Sequence, residues 1–258
     1  MSEFNGLSIF LTVAQSVIQA VVLVLIIRVI KNNSSFFLPK FVGLSVLSYL
    51  VSNVYWIAYD ALRPGTRLPF AANEIAECAM ILLLAAGLDS YLKDRRKVPS
   101  EIIFSFMIII IDIFLWIKWS GEWIQDIIFG IPYIYFVWTI VRGLFSTKAF
   151  KNFMYPVIAV LLTILKILQV TAVYTDEVTT FRLDVGSWII MFGVMIWLMI
   201  ECFRKRNIFV AAAFFQWSTM TMYSCAELDY CFAVCFNSVS IITLYLAVRK
   251  EVRSLDIR

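Results

Sequence analysis

The chain has 258 residues, of which 62% are hydrophobic and 16% charged, and its mean hydropathy is +0.86. A soluble domain is roughly 45–50% apolar and roughly 25% charged, so this much apolar side chain must coat the outside of any fold of this size, which excludes a water-soluble globule. Histidine is absent and the formal net charge is +4; imidazole chemistry is thereby excluded, and with it Ser/His proteolysis, HExxH metalloproteolysis and His-ligated haem.

A helix that crosses a bilayer needs about 20 mostly apolar residues. Nine stretches qualify or nearly do: Leu7 to Ile30, Phe41 to Leu62, Ala71 to Leu92, Ile102 to Ile117, Ile124 to Phe145, Phe153 to Tyr174, Val185 to Glu201, Ile208 to Cys225 and Tyr230 to Val248. The pattern predicts an all-α, polytopic integral membrane bundle of eight or nine helices forming a single transmembrane domain over residues 1–258. The first stretch is too long for the apolar part of a secretory signal and has no basic segment before it, so it is expected to remain as a helix. The fourth, seventh and eighth stretches are short. Glu227, Leu228 and Asp229 read as a tight reversal between the last two, with one span plus a re-entrant segment as the alternative. Connecting loops are about a dozen residues or fewer, so no separate soluble catalytic domain is expected.

Basic residues are retained on the cytoplasmic side of short loops. Arg28, Lys31 and Lys40 fall on one side with Lys93, Arg95, Arg96, Lys97, Arg142, Lys148, Lys151, Arg204, Lys205, Arg206, Arg249, Lys250, Arg253 and Arg258. Only Arg63, Arg67, Lys118 and Arg182 fall on the other. The N-terminus is therefore expected outside and the C-terminus inside, in a multi-pass protein of the cell membrane. The positive balance is accounted for by topology, and no nucleic-acid partner is expected.

Ionisable groups within a span are costly and need a partner, water or a role. Lys166 in the sixth stretch, Asp112 in the fourth and Glu77 in the third sit at similar depth when counted at about 1.5 Å per residue. Lys166 is accordingly expected to pair with Asp112 or Glu77. Polar residues also recur at helical spacing. They include Ser45, Ser48, Ser52, Tyr55 or Trp56, and Tyr59 on the second stretch, ending beside Asn53 and Asp60; Gln15 and Gln19 on the first; Asn73, Glu74 and Glu77 on the third. Thr163, Lys166 and Gln169 do the same on the sixth, and Gln216, Thr219 and Tyr223 on the eighth. A shared polar cavity follows as the expectation, with Asp60, Asn73, Glu74, Glu77, Asp112, Lys166, Gln169, Trp56 and Tyr59 as candidate substrate- or ion-binding residues. The bland alternative is that such side chains only hydrogen-bond neighbouring helices. Trp119, Trp123, Trp188 and Tyr174, near span ends, read as interfacial anchors.

Ten acidic residues, Asp60, Glu74, Glu77, Glu122, Asp126, Asp176, Glu177, Asp184, Glu227 and Asp229, gather toward the outer side, where a negative vestibule would concentrate cations. The five cysteines show no CxxC pair and read as packing thiols. Three functions remain. The leading one is a transporter or channel-like protein for a small polar or cationic solute, entering an outward-facing polar cavity. The second is a ligand-sensing receptor subunit that signals through a separate cytoplasmic partner protein. The third is a histidine-free intramembrane enzyme that uses a buried carboxylic acid on a lipid or isoprenoid substrate. No catalytic residue, metal site or cofactor is assigned. The expected partners are the lipid bilayer and a small-molecule solute or ligand, with a homo-oligomer or a cytoplasmic partner as further options.

Overall fold

The computed structural model describes residues 2–62, 72–92, 123–146, 208–220 and 227–256, together with separate positions between 102 and 113 and between 178 and 204. Six helices are bounded among them: α1 (Ser2–Asn32), α2 (Phe37–Leu62), α3 (Ala72–Leu92), α4 (Trp123–Ser146), α5 (Ile208–Met220) and α6 (Glu227–Asp256). No strand occurs among the described residues. Among the described residues, four helical stretches are long and apolar enough to cross a membrane: Gly6–Asn32, Phe37–Tyr59, Ile75–Leu92 and Cys231–Ser254. The expected all-α membrane architecture is thus present in coarse form. Six bounded helices, not eight or nine, are found among the described residues. The expected fourth and seventh spans are described only at scattered helical positions, and the expected sixth lies outside the described residues.

Local chemistry explains the first hairpin. Asn33 ends α1 by turning its side-chain amide back to the Val29 carbonyl at 3.3 Å, while its backbone N–H reaches the Ile30 carbonyl at 3.2 Å; both carbonyls lie in the last turn, where the helix supplies no partner. The Phe36 N–H then closes on the Asn33 carbonyl at 3.3 Å, so a four-residue link sets α2 antiparallel to α1. Pro39 stands in the first turn of α2, where its missing N–H breaks no helical bond.

The helices pack in a ring. α1 lies between α2 and α6, α2 against α3, α3 against α4, and α6 against α5; a lighter contact between α4 and α5 closes the circuit. Small residues permit the closest crossings. A Cβ on Gly87 of α3 would stand 3.2 Å from the Phe41 Cβ of α2, and one on Gly143 of α4 would stand 3.1 Å from a Val210 methyl of α5. Such contacts dominate where the surroundings are lipid, because apolar burial gains little when the solvent itself is hydrocarbon.

The first half of α1 is inside-out relative to a soluble helix. On α1 the buried face carries Thr12, Gln15, Ser16 and Gln19, while Phe10, Val13, Val17, Val21 and Val24 are exposed. At the end of the bundle that carries the basic residues, the interior is apolar: Ile26, Leu88, Leu92, Ile140, Phe209 and Val248 are fully enclosed. Nearer the middle of the helices it turns polar.

Two expectations are corrected here. Glu227 begins α6, so residues 227–229 belong to the helix and are no reversal. That helix also continues past Val248 to Asp256. Val252 is buried and the Tyr91 hydroxyl meets Glu251 at 3.5 Å, so the last two turns dock against α3 even though the apolar run has ended.

Candidate polar site at mid-membrane depth

Polar side chains from α1, α2, α5 and α6 meet inside the ring. Gln15, Gln19, Asn53, Gln216, Asn237 and Ser240 are all buried. At about 1.5 Å per residue, Gln19 lies about 14 Å along α1 from Arg28, Tyr49 about 14 Å along α2 from Lys40, and Asn237 about 18 Å along α6 from Arg249. These heights fall near the centre of about 30 Å of hydrocarbon.

Two hydrogen-bonded chains make up the cluster. In the first, Gln15 Nε2 donates to the Val234 carbonyl at 3.3 Å. Asn53 Nδ2 donates to Gln15 Oε1 at 2.7 Å and to Gln19 Oε1 at 3.1 Å. In the second, Ser240 Oγ donates to Gln216 Oε1 at 2.7 Å, Gln216 Nε2 to Asn237 Oδ1 at 3.1 Å, and Asn237 Nδ2 to the Tyr49 hydroxyl at 2.8 Å. One group stands out. Gln19 Nε2 is buried and has no hydrogen-bond partner among the described residues.

The candidate residues from the sequence separate as follows. Glu77 is half-buried on α3 and accepts a hydrogen bond from Ser52 Oγ at 2.9 Å. Trp56 and Tyr59 are half-buried on α2, with Tyr59 stacked on Tyr55 at a centroid distance of 6.0 Å. Asp60 lies in α2, and Asn73 and Glu74 in α3; their side chains fall outside the described residues. Asp112, Lys166 and Gln169 also fall outside them, and with them the expected meeting of Lys166 with Asp112 or Glu77.

The polar stripe on α2 divides into two faces. Ser45 Oγ donates to the Met80 carbonyl at 2.9 Å and Ser52 to Glu77, so this face ties α2 to α3. Tyr49 and Asn53, one turn apart on the adjoining face, carry the contacts to the central cluster. Gln15, Gln19, Gln216 and Thr219 all point inward, as their spacing implies.

Sequence reasoning missed Asn237, the residue joining α6, α5 and α2, although an amide seven residues into the apolar run from Tyr230 to Val248 was a usable signal. It also missed an ion pair between Arg142 of α4 and Asp89 of α3. Both residues sit one turn inside the basic ends of their spans, a match in charge and depth that was readable.

Cys78 shows how a break in one helix is repaired by another. Pro132 interrupts α4 and supplies no N–H for the carbonyl four residues earlier. That carbonyl belongs to Ile128, and Cys78 Sγ approaches it at 3.8 Å. Cys78 and Cys231 are buried and Cys235 is exposed, and none of the three is in a disulfide.

Among the described residues no group of three or more Cys, Asp or Glu side chains converges as a metal site would require. Comparison of the chain with protein-family models, with curated proteins and with solved structures gave no match.

Proposed function

We propose that the chain is a membrane transporter or channel-like protein that moves a small polar or cationic solute through a cavity opening to the outside, within a bundle of about nine spans with its N-terminus outside. The observation that supports this reading is the amide cluster. Asn, Gln, Ser and Tyr side chains from four helices are gathered at mid-membrane depth inside a ring of helices, and the N–H₂ group of Gln19 has no partner among the described residues. A pair of such side chains suffices to fasten two helices. A cluster that runs across the ring and stops at an open donor has the makings of a polar stepping stone for a molecule that hydrocarbon would reject.

Below the cluster, toward the basic end, lies the enclosed apolar layer around Leu88, Phe209 and Val248. That layer would shut the path on the cytoplasmic side and leave access from the outer, acidic side. Glu77, bonded to Ser52 near the cluster, would offer a carboxylate to a cation on its way in.

The test is uptake into liposomes containing the purified protein. Wild type should carry a polar solute or a monovalent cation down its gradient, and Asn237→Leu should slow it about fivefold or more while the protein stays monodisperse in detergent. Uptake equal to that of empty liposomes would refute transport, and solute binding without uptake would shift the reading to a sensor.

A further inference from the structure

The orientation of the first amide chain is set from the backbone. The Val234 carbonyl can only accept, so Gln15 must direct Nε2 at it and keep Oε1 for Asn53. Asn53 must then present Nδ2, and its second hydrogen goes to Gln19 Oε1. Reversing the Gln19 amide would set its N–H₂ against that of Asn53, donor against donor. The free end of the chain is therefore a donor: Gln19 Nε2, on a side chain that is 0% exposed.

A buried N–H₂ with nothing to donate to is costly, and an acceptor relieves the cost. The carbonyl oxygens of Gln15, Gln19, Gln216 and Asn237 are each already engaged by an N–H or O–H of the cluster. At Gln19 Nε2 itself a cation would meet bare N–H hydrogens. An anion would be attracted to them, but among the described residues no lysine or arginine joins the cluster to balance its charge in hydrocarbon.

We propose that Gln19 Nε2 is a binding point for the oxygen of a small uncharged molecule, and that it selects neutral hydrogen-bond acceptors over ions. Water, a polyol hydroxyl and an amide carbonyl share this chemistry. The proposal rests on the transport reading and narrows its substrate class.

The experiment measures the permeability of proteoliposomes to water, glycerol and urea by stopped-flow light scattering, and to potassium with an entrapped indicator. Wild type should exceed empty liposomes for at least one of the three neutral probes and match them for potassium. Movement of water alone assigns the site to water; movement of glycerol or urea assigns it to a solute. Gln19→Leu, and Gln19→Met as the closest apolar match in shape, should each lower the neutral flux about fivefold or more. Potassium flux with no neutral flux would overturn this selectivity and leave transport standing. Neutral flux unchanged in both variants would overturn the role of Gln19, and no flux of any probe would overturn both proposals.

Discussion

Arg142 of α4 is clamped between two acceptors on the last turn of α3, the Asp89 carboxylate and the Leu92 carbonyl oxygen, the latter at 3.1 Å. The Leu92 carbonyl belongs to a helix C-terminus, where the backbone has no partner of its own and favours a cation. Arg142 is 8% exposed at its side chain and Asp89 43%, so the guanidinium is the more deeply held half of the pair.

Removing the acid should therefore hurt more than the exposure of Asp89 suggests, because a buried arginine is left behind. Asp89→Asn is expected to cost about 1–3 kcal/mol, below the value for a fully enclosed pair because the carboxylate is half in solvent. Arg142→Met, which removes the buried charge itself, should cost less. Thermal unfolding in detergent of both single variants and the double variant measures the coupling; equal, additive effects would show that the pair does not hold α3 to α4.

The helix crossings predict the effect of two further substitutions. Gly87→Ala places a methyl 3.2 Å from the Cβ of Phe41, an atom fixed to its backbone, and Gly143→Ala places one 3.1 and 3.5 Å from the two methyls of Val210, a buried β-branched side chain held to one χ1 rotamer in its helix. Each is expected to destabilise by about 1–3 kcal/mol. An unchanged unfolding midpoint for Gly87→Ala would contradict the packing assigned to α2 and α3.

The contact between Cys78 and the Ile128 carbonyl exists because Pro132 leaves that oxygen free. Cys78→Ala should cost about 0.5–1 kcal/mol in the native background. In a Pro132→Ala background, where the backbone N–H returns, the same change should cost measurably less. A double-mutant cycle that shows no coupling would sink this account of the thiol.

Much of this is legible in the amino-acid sequence, and the gaps have physical causes. The span limits at Ile30, Leu62, Leu92 and Phe145 fall within two residues of helix ends, because hydrophobic run length and bilayer thickness constrain each other. The inward placement of Gln15, Gln19 and Gln216 was legible from three- and four-residue spacing. Lateral neighbours were not: depth along a helix follows from counting residues, while nothing in one chain says that α1 sits beside α6. Ser45 and Ser52 were accordingly assigned to the cavity face when they bind α3. The tail of α6 was missed because Arg249 and Lys250 end the apolar run, although Leu244, Val248 and Val252 keep the buried face in register. Counting Arg142 only among the basic residues of one side, with Asp89 not considered, concealed their pairing.

Within the cluster, Tyr49→Phe removes the hydroxyl that accepts from Asn237 and should cost about 0.6 kcal/mol, the usual scale for such bonds in membranes. Asn237→Leu should cost more, since it removes the acceptor of Gln216 Nε2 as well as the donor to the Tyr49 hydroxyl. Equal stabilities of the two variants would deny Asn237 its place at the junction.

Water access to the cluster is the most direct measure of the whole account. In a background with the five native cysteines replaced, Asn53→Cys places a thiol among Gln15 and Gln19, and Val54→Cys places one on the exposed apolar face of the same helix. A small membrane-impermeant thiol reagent added outside intact proteoliposomes should modify the cysteine at 53 and spare the one at 54, which faces lipid. If both thiols stay unmodified, the amides are dry packing between helices, and no solute passes through them.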